Sequence, residues 1–508
     1  MRADQGSDAP NLLLRGLKAW DTGQGLDLLL PWPDVERFAA GADEVQAWRR
    51  LGERAQGRTL AVDLTGALLA PGLVDPHVHF RDPGGTDKED MITGCSAAAA
   101  GGYSSVLIMP NTQPAMDGPE VIGYLQGYES ERGRRLPVGY RLCAAASRDR
   151  EGLVPNPPSA WADYLPGGPV SQSDPNAALH PVVALSDDGA AVTDGIAEQV
   201  ALSARAAGIP LLDHCERHRT GFINQGPVSR RLGLEGVPAS TELAIVNRDI
   251  KLARTTGARI HLQHVSTAGA FQAIREAKRQ GLPVSCETAP HYLALSDEDV
   301  PRLGAMGKMN PPLRSEADRQ ASLEAMADGT VDMIATDHAP HTRAEKERGL
   351  ESAPNGVIGL ESAYGVCHSV LVDGGWIDEA RLIELMSLAP ARLMGMASTD
   401  IGAIMHKVNG QRSQEGASAP VLDLTADAQA AQADLVVLAP EESWTVEANR
   451  FLSKARNTPF EGMTVSGRPL MTIVGGRPTH SVINPKAFKA VVAQAPRKNP
   501  EGRQSWTA

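Results

Sequence analysis

Apolar runs and helix-like patterns alternate along the chain between residues 71 and 399. Each apolar run leads into polar residues, and the runs predict buried strands at 103–111, 208–216, 258–267, 282–291 and 331–341. Segments with apolar residues at helical spacing and a glycine at the end lie between them, at 269–281 and 319–329. Continuous apolar strands interleaved with helices indicate a parallel sheet covered on both faces. We therefore predict an α/β fold whose main part, residues 71–399, is a (β/α)8 TIM-like barrel.

The two ends of the chain predict a separate small β domain. Residues 1–70 hold short β-like pieces around a charged stretch, "ADEVQAWRRLGERAQGR", which we expect to be a solvated helix or loop. Residues 400–486 return to strand-like segments after an exposed insertion that the polar composition predicts at 406–432. Residues 487–508 predict a polar tail. A second insertion, rich in proline and glycine, interrupts the barrel region at 154–180.

The composition limits the classes of function. With 508 residues, of which 42% are hydrophobic, the chain can bury a large core. The formal net charge of −12 argues against a nucleic-acid or anionic-membrane surface, and we expect neither partner. The N-terminus lacks the layout of a signal peptide, and no stretch is long and apolar enough to span a bilayer. Five cysteines without a CxxC pair favour a reducing compartment, so we predict a cytoplasmic protein.

Two histidines, His77 and His79, stand one residue apart at the end of an apolar run in "GLVDPHVHFRDPG". Side chains at i and i+2 share one face of a strand, so both imidazoles can bind one metal ion. Catalytic residues in such barrels come from the carboxyl ends of several strands, and imidazole with carboxylate suits Zn2+. The ends of later predicted strands add the candidate ligands Asp187, Asp188, His214, His264 and Asp337.

The number of candidate ligands favours two neighbouring zinc ions that share a bridging group. Many such barrels use a carboxylated lysine as the bridge, but no lysine lies between Lys88 and Lys251. An aspartate of "SDDG" must then bridge the ions, or the site holds a single metal. We choose Asp188, with Asp187 as the alternative.

The motifs together resemble those of the dihydroorotases of the amidohydrolase superfamily, in the class I type, whose bridging ligand is aspartate. The resemblance covers about 71–399 and 433–478, and the N-terminal segment and the two insertions depart from it. The matching pieces include "PGLVDPHVHFRDPG", "SDDG", "DHCE", "HVST", "CETAPHYL", "MNPPLR", "ATDHAPHTRAEKERG", "GVIGLES" and "NTPFEGMTVSGRPLMTIVGGR".

The resemblance implies two zinc ions and a reaction. One ion would be bound by His77, His79 and Asp337 and the other by His214 and His264, with Asp188 as the bridge. The family reaction is the reversible, water-releasing cyclisation of N-carbamoyl-L-aspartate to L-dihydroorotate in pyrimidine synthesis. In the reverse direction the metals lower the pKa of water to roughly 7. Asp337 would be the catalytic residue, because it can take the proton of that water and deliver it to the departing ring nitrogen.

The substrate carries carboxylates, so a negatively charged chain needs local cationic or amide groups to bind it. Arg81 follows His79 by two residues and can form a bidentate pair with a carboxylate. By resemblance, we expect further substrate contacts from His79 and from a set of later residues: Asn111, Asn310, His341 and the backbone near Asn355 and Gly356.

Four other residues near these motifs are expected to have structural roles. His261 lies three residues before His264, so we expect it to face away from the site and to pack in the core. We expect His291 and His338 to support the site rather than to bind metal. Cys215 follows His214 and should point to the opposite side of its strand.

Two alternatives remain at this point. Hydantoinases and allantoinases open related cyclic amides in the same fold, but they favour the lysine that is missing here. A catalytically inactive homologue could instead serve as a scaffold for an aspartate transcarbamoylase, although such proteins tend to lose metal ligands and this chain keeps all six. A homo-oligomer and a transcarbamoylase partner are both compatible with the sequence.

Overall fold

The described part of the chain is organised by two large sheets, a parallel barrel and a mixed sheet. The computed structural model describes residues 10–33, 42–55, 58–216, 218, 220–409, 419–426, 428, 430–491, 497–498 and 504–505. Four strands precede the barrel: β1 (Asn11–Ala19), β2 (Gly25–Pro31), β3 (Leu60–Asp63) and β4 (Leu68–Pro71). The strands of the central region are β5 (Leu73–Val78), β6 (Tyr103–Ile108), β7 (Gly139–Ala145), β8 (Val182–Ser186), β9 (Leu211–His214), β10 (Ile223–Asn224), β11 (Gly236–Val237), β12 (Ile260–Gln263), β13 (Val284–Thr288) and β14 (Met333–Ile334). The later strands are β15 (Val421–Asp423), β16 (Leu435–Thr445), β17 (Thr464–Val474), β18 (Arg477–Ser481), β19 (Lys489–Ala490), β20 (Arg497–Lys498) and β21 (Gln504–Ser505).

Eight parallel strands form the barrel in the order β5–β6–β7–β8–β9–β12–β13–β14. Strands β6 and β8 are buried at every position, as expected for strands covered on both faces. An isolated parallel bridge joins Val78 to His338, and the His79 N–H donates to the His338 carbonyl at 2.9 Å. The last strand region thus returns to the first, and the predicted TIM-like barrel is confirmed.

A buried carboxylate reinforces the closure of the barrel. Asp75 on β5 accepts hydrogen bonds from the Thr336 N–H (3.2 Å), the Thr336 hydroxyl and the His77 N–H (3.1 Å). Burial raises the pKa of Asp75 to about 7, although these hydrogen bonds act in the opposite direction. The first and last strands of the barrel are therefore joined by a side chain as well as by backbone contacts.

Helices follow most of the barrel strands and cover their outer face. Helix ends obey the sequence signals: Asp90 caps the helix that begins at Met91, and Gly208 and Gly257 end two later helices in the left-handed conformation. The helices are α1 (Ala42–Ala55), α2 (Met91–Ala100), α3 (Pro119–Arg132), α4 (Pro169–Ser173), α5 (Asp194–Ala207), α6 (Pro227–Leu232), α7 (Ala239–Thr256), α8 (Ala268–Arg279), α9 (Pro290–Ala294), α10 (Val300–Leu303), α11 (Glu316–Ala327), α12 (Arg343–Lys346), α13 (Gly349–Ser352), α14 (Ala363–Cys367), α15 (Glu379–Ile383), α16 (Ala389–Leu393) and α17 (Ile401–Asn409). Two π-helical turns, His368–Val372 and Glu384–Leu388, continue α14 and join α15 to α16. Short 3₁₀ turns lie at Arg148–Arg150, Pro158–Ala160, Ala162–Tyr164, Ala177–Leu179, Asp297–Asp299, Gly304–Gly307, Ala430–Gln432, Ala448–Arg450 and Pro485–Ala487.

The mixed sheet is built from both ends of the chain, as predicted. Its strand order is β15–β2–β1–β4–β16–β17–β18, and β3 pairs with β1 and with β19. The inward side chains of β1 alternate with exposed or half-buried ones, which is the pattern of a sheet with one covered face. These strands share a hydrophobic core of their own, separate from the core of the barrel.

Three predictions for the flanks are corrected by the structure. The insertion predicted to be exposed at 406–432 includes the end of α17 and strand β15, and Leu422 and Leu424 are fully buried, whereas residues 410–418 lie outside the described residues. The polar tail predicted to begin at 487 starts with Phe488, which is buried, and with β19, which pairs with β3. The charged stretch near the N-terminus is a helix, α1, but Trp48 on it is fully buried. Scattered apolar residues are sufficient to attach these segments to the sheet.

In the described regions, no helix combines the length and the apolar character that crossing a membrane would require.

Removal of the Trp48 side chain should loosen α1 from the mixed sheet. The Trp48 ring packs edge-on against Trp32 (5.8 Å between ring centroids) and Phe488 (5.4 Å). We expect Trp48→Ala to lower the local free energy of opening by about 3–5 kcal/mol, because the cavity cannot refill. Hydrogen exchange of α1 and β3 measures this change. Arg50→Ala, on the exposed side of the same helix, is the control, and equal exchange in both variants would contradict the packing role.

Candidate metal centre

The carboxyl ends of the barrel strands bring the six predicted metal ligands into one buried cluster. His77 lies near the end of β5, and His214 is the last residue of β9. The others lie in the loops that directly follow β5, β8, β12 and β14: His79, Asp188, His264 and Asp337. All six side chains are buried, with between 0% and 7% of each residue exposed. Groups of imidazole and carboxylate rarely share such a space without a cation.

His77 is held between two carboxylates. Its Nδ1–H donates to Glu287 Oε1 at 2.7 Å, which turns Nε2 towards the centre of the cluster. The Nε2 atom lies 3.3 Å from Asp188 Oδ1 and 3.7 Å from Asp337 Oδ1. Burial opposes a charged imidazole, but Asp188 and Glu287 raise the pKa of His77 well above its usual value.

The His79 ring is oriented in the same way as the His77 ring, by a hydrogen bond from Nδ1 that turns Nε2 towards the cluster. Its Nδ1–H donates to Asn111 Oδ1 at 2.7 Å, and its Nε2 lies 3.0 Å from Asp337 Oδ1 and 3.3 Å from Asp188 Oδ2. A hydrogen bond from one ring nitrogen selects the tautomer in which the other nitrogen carries a lone pair. The Nε2 atoms of His77 and His79 therefore both face carboxylate oxygens.

Asp188 occupies the middle of the cluster. Its Oδ1 faces His77 and also lies 3.8 Å from His264 Nε2, while its Oδ2 faces His79. The His214 ring packs edge-on against His264, with 4.4 Å between the ring centroids. Burial would raise the pKa of Asp188, but the His77 and His79 imidazoles hold it well below its usual range. Asp188 thus lies between the two sets of histidines, as a bridging group would.

The neighbouring Asp187 points elsewhere. It accepts hydrogen bonds from the Ser147 N–H (2.9 Å) and from the Ser147 hydroxyl (2.6 Å), in the loop that follows β7. The preference for Asp188 over Asp187 as the central carboxylate therefore agrees with the geometry, because two adjacent residues of an extended segment face opposite sides.

Three of the site residues have a left-handed backbone conformation that side chains rarely adopt. Arg81, His264 and Asp337 have φ values of 55°, 36° and 48°. Each such residue costs of the order of 1–3 kcal/mol and persists only where the surrounding structure enforces it. At His264 this conformation turns the imidazole into the barrel although Gln263, its neighbour, also faces inward.

The donor set fits divalent metal ions of the zinc type. Two groups of residues have potential ligand atoms within 4.8 Å of one another, namely His77, His79 and Asp337, and His77, Asp188 and His264. Several buried atoms of the cluster have no hydrogen-bond partner: His77 Nε2, Asp188 Oδ1, His214 Nδ1 and His264 Nδ1. Buried polar atoms without partners carry a large free-energy penalty unless a cation or proton lies between them. Nitrogen and oxygen ligands in this mixture suit Zn2+.

The predicted carboxylate-binding residues lie beside this cluster. Arg81 interacts electrostatically with Asp337 and Asp188, and its Nε is buried without a hydrogen-bond partner. Burial lowers the pKa of Arg81 to about 10, so the guanidinium stays charged at neutral pH. Asn111 contacts His79, and the Asn310 Nδ2–H donates to His214 Nε2 at 3.3 Å, which leaves Asn310 Oδ1 buried and unpaired.

His341, Asn355 and Gly356 lie together, and His341 interacts electrostatically with Arg81. His341 Nε2–H donates to the Asn355 carbonyl at 2.7 Å. Gly356 has a φ of 119°, and a Cβ at this position would lie 2.6 Å from Ala339 Cβ, so only glycine fits. The Lys346 ammonium donates to the carbonyls of Gly356 (2.8 Å) and Pro354 (3.1 Å) and so holds the loop in place. Every predicted substrate-binding residue therefore lies close to the cluster or to another member of this set.

Sequence reasoning missed Glu287 and placed His261 incorrectly. Glu287 on β13 accepts from His77 and, through Oε2, from His261 Nε2 at 3.0 Å. His261 was expected to face away from the site, but it lies inside the barrel because His264 departs from the alternation of its strand. Burial would raise the pKa of Glu287, but His77 and His261 lower it to about 2. A single charged residue in a strand of otherwise uncharged, mostly buried residues was the available signal.

The other residues that were assigned structural roles lie outside both groups of candidate ligands. His291 packs edge-on against Tyr292, and His338 Nε2 lies 3.4 Å from Glu89 Oε2. Cys215 is fully buried in the core of the barrel, on the side opposite to His214.

Comparison with known proteins identifies close relatives. Residues 68–406 match the amidohydrolase family. A protein of Anaeromyxobacter dehalogenans named dihydroorotase is 42% identical over 431 residues, which is 83% of this chain and 88% of the relative. A second dihydroorotase, from Geobacter metallireducens, is 36% identical over 479 residues, or 92% of this chain and 99% of the relative. Among solved structures, an L-hydantoinase from Arthrobacter aurescens has a TM-score of 0.67 at 22% identity, covering 92% of this chain and 96% of the other, and shows the same fold.

Glu287→Gln should weaken metal binding without removing any of the six candidate ligands. The change removes the charge that orients His77 Nδ1–H, and loss of such a supporting partner typically costs 10–100-fold in metal affinity. Zinc titration against a competing chelator measures this affinity.

Glu298→Gln is the matched control, because Glu298 is exposed and forms an ion pair with Arg231 on the surface. The same zinc affinity in Glu287→Gln and in the control would contradict the supporting role of Glu287.

Proposed function

The chain belongs to the amidohydrolase family and, within it, to the dihydroorotases, and from this premise we propose that it interconverts N-carbamoyl-L-aspartate and L-dihydroorotate with the residues of the candidate metal centre. The observation that carries the assignment of roles is the position of Asp188, whose two oxygens face His79 on one side and His77 with His264 on the other. The reaction is a cyclic amide hydrolysis in one direction and a ring closure with loss of water in the other.

We assign two zinc ions to the cluster. His77, His79 and Asp337 would hold one ion, His214 and His264 the other, and Asp188 would bridge them. When bound, such ions lower the pKa of water to roughly 7 and polarise a carbonyl oxygen. The carboxylate–histidine pair of Glu287 and His77 and the amide–histidine pair of Asn111 and His79 would keep the Nε2 lone pairs directed at the ions.

Asp337 is the proposed catalytic residue. Its Oδ1 lies 3.0 Å from His79 Nε2, and the histidines around it hold the pKa of Asp337 well below its usual range despite its burial. The residue is therefore ionised and can accept a proton from the attacking water. It then delivers that proton to the ring nitrogen that departs when the amide bond breaks, and ring closure uses the same transfers in reverse.

The substrate-binding groups orient the ring above the cluster. Arg81 and Asn111 bind the carboxylate that ring closure leaves intact, with the guanidinium fork of Arg81 matching the two carboxylate oxygens. Asn310 and His341 contact the ring amide groups, and the backbone at Asn355 and Gly356 lines the remaining wall. Fixed positions for both reacting partners convert the reaction into a unimolecular step.

The alternatives have less support. The hydantoinase structures share the fold at low identity, which says nothing of the reaction, and the middle strands of this chain lack the lysine that hydantoinases favour. A non-catalytic scaffold has no need to keep six candidate ligands clustered as they are here. A cytoplasmic location, a homo-oligomer and a transcarbamoylase partner stay predictions.

The purified protein should turn over dihydroorotate and carbamoyl-aspartate but should leave hydantoin and allantoin unchanged. A chelator should remove this activity, and added zinc should restore it. His264→Ala should show no turnover even after zinc is added, because one ion loses a ligand, while its circular dichroism spectrum stays that of the parent protein. Full activity in His264→Ala would reject the metal assignment, and turnover of hydantoin alone would reject the proposed substrate.

Arg81→Lys should weaken substrate binding more than it slows the chemical step. An ammonium group keeps the charge but cannot form the bidentate pair, so we expect the KM for dihydroorotate to rise about tenfold with little change in kcat. Steady-state kinetics in the hydrolytic direction measure both constants. An unchanged KM would remove Arg81 from the carboxylate site.

A further inference from the structure

A second arginine lies at the edge of the candidate metal centre. Arg150 ends the 3₁₀ turn Arg148–Arg150 in the loop that follows β7, and its Nη2 donates to the Asp188 carbonyl at 2.5 Å. Arg150 and the preceding Asp149 both have a left-handed backbone, with φ values of 56° and 52°. Two such residues in succession are costly in a loop, and strain of this kind is concentrated at functional sites.

The Arg150 guanidinium and the Asn111 amide meet around Gly189. A Cβ on Gly189 would lie 2.8 Å from Arg150 Nη2 and 3.9 Å from Asn111 Nδ2. Gly189 itself has a φ of 94°, a conformation that favours glycine. The missing side chain leaves room beside the two groups, on the same side of the centre as the proposed carboxylate-binding amide.

Asp188 attracts both Arg150 and Arg81 electrostatically, but it forms no direct ion pair with either guanidinium. Within the described residues no carboxylate oxygen forms an ion pair with either guanidinium, and the Nε atoms of both are buried without a hydrogen-bond partner. The nearest carboxylates are already engaged, Asp187 by Ser147 and Asp188 by the histidines. Arg81 and Arg150 are close enough to repel each other electrostatically. Both guanidiniums are half-buried beside carboxylates that already have other partners, and a bound carboxylate would supply the direct ion pair that they lack within the described residues.

We propose that Arg150 is a substrate-binding residue that acts with Arg81 and Asn111 on the intact carboxylate of the substrate and so selects carboxylated cyclic amides over neutral ones. The inference rests on the proposed function and adds to it a residue from a different loop. The Arg150 Nη2 contact with the Asp188 carbonyl fixes the guanidinium, and its remaining N–H groups are free to donate to the ligand.

The test compares Arg150→Met with Arg150→Lys and with Arg148→Met, the control at an exposed arginine of the same turn. For Arg150→Met we expect the KM for dihydroorotate to rise about tenfold to hundredfold, the usual effect of losing a charged hydrogen bond, with kcat within a few-fold of the parent value. The KM of Arg150→Lys should lie between that of the parent protein and that of Arg150→Met, because lysine keeps the charge but cannot form the bidentate pair. Arg148→Met should have the same KM and kcat as the parent protein.

A neutral analogue separates carboxylate recognition from general support of the site. Inhibition by 5,6-dihydrouracil, which lacks the carboxylate, should be equal in the parent protein and in Arg150→Met. An unchanged KM, an equal loss of binding for both compounds, or a loss of zinc without a change in KM would overturn the proposal. If Arg150→Met does not fold, Arg150→Lys decides, since a KM at the parent value would reject the role. An inactive parent protein would instead reject the proposed function itself.

Discussion

The structure depends on a close approach of imidazole lone pairs to carboxylate oxygens in a buried space. His77 and His79 each donate Nδ1–H outward, to Glu287 and to Asn111, so their Nε2 atoms face Asp188 and Asp337 at 3.0–3.7 Å. Two acceptors at such distances repel unless a proton or a cation lies between them. Binding of divalent cations would therefore stabilise this end of the barrel. The hydrogen bonds to Glu287 and Asn111 keep the Nε2 atoms directed at the carboxylates.

Support for this arrangement comes from side chains that are distant along the chain. Asp75 joins the first strand of the barrel to Thr336, next to Asp337, and Glu287 joins His77 to His261 on another strand. A further buried pair, Arg314 with Glu216, lies just beyond His214, where Arg314 Nη2 donates to Glu216 Oε2 at 2.8 Å. Buried networks with every member paired are rigid, and rigidity is what a pair of metal ions needs from its ligands.

The electrostatics of the site differ from those of the whole chain. The chain has a net charge of −12, but beside the cluster Arg81 and Arg150 carry positive charge and form no direct ion pair with a carboxylate of the described residues. Local placement of a few charged groups, rather than the overall charge, thus sets the electrostatics of this part of the protein.

The sequence by itself determined the barrel and the candidate ligands, because continuous apolar runs and the polar residues that end them are local signals of buried parallel strands. The burial of Trp48, Leu422 and Phe488 was decided only by tertiary structure, since all three belong to a core cluster that residues from both ends of the chain build together. The same holds for the inward turn of His261 and for Arg150, whose partner is a backbone carbonyl 38 residues away. Periodicity along a strand predicts which face a residue occupies, but a single left-handed residue such as His264 breaks the pattern, and contacts between distant segments determine where that occurs.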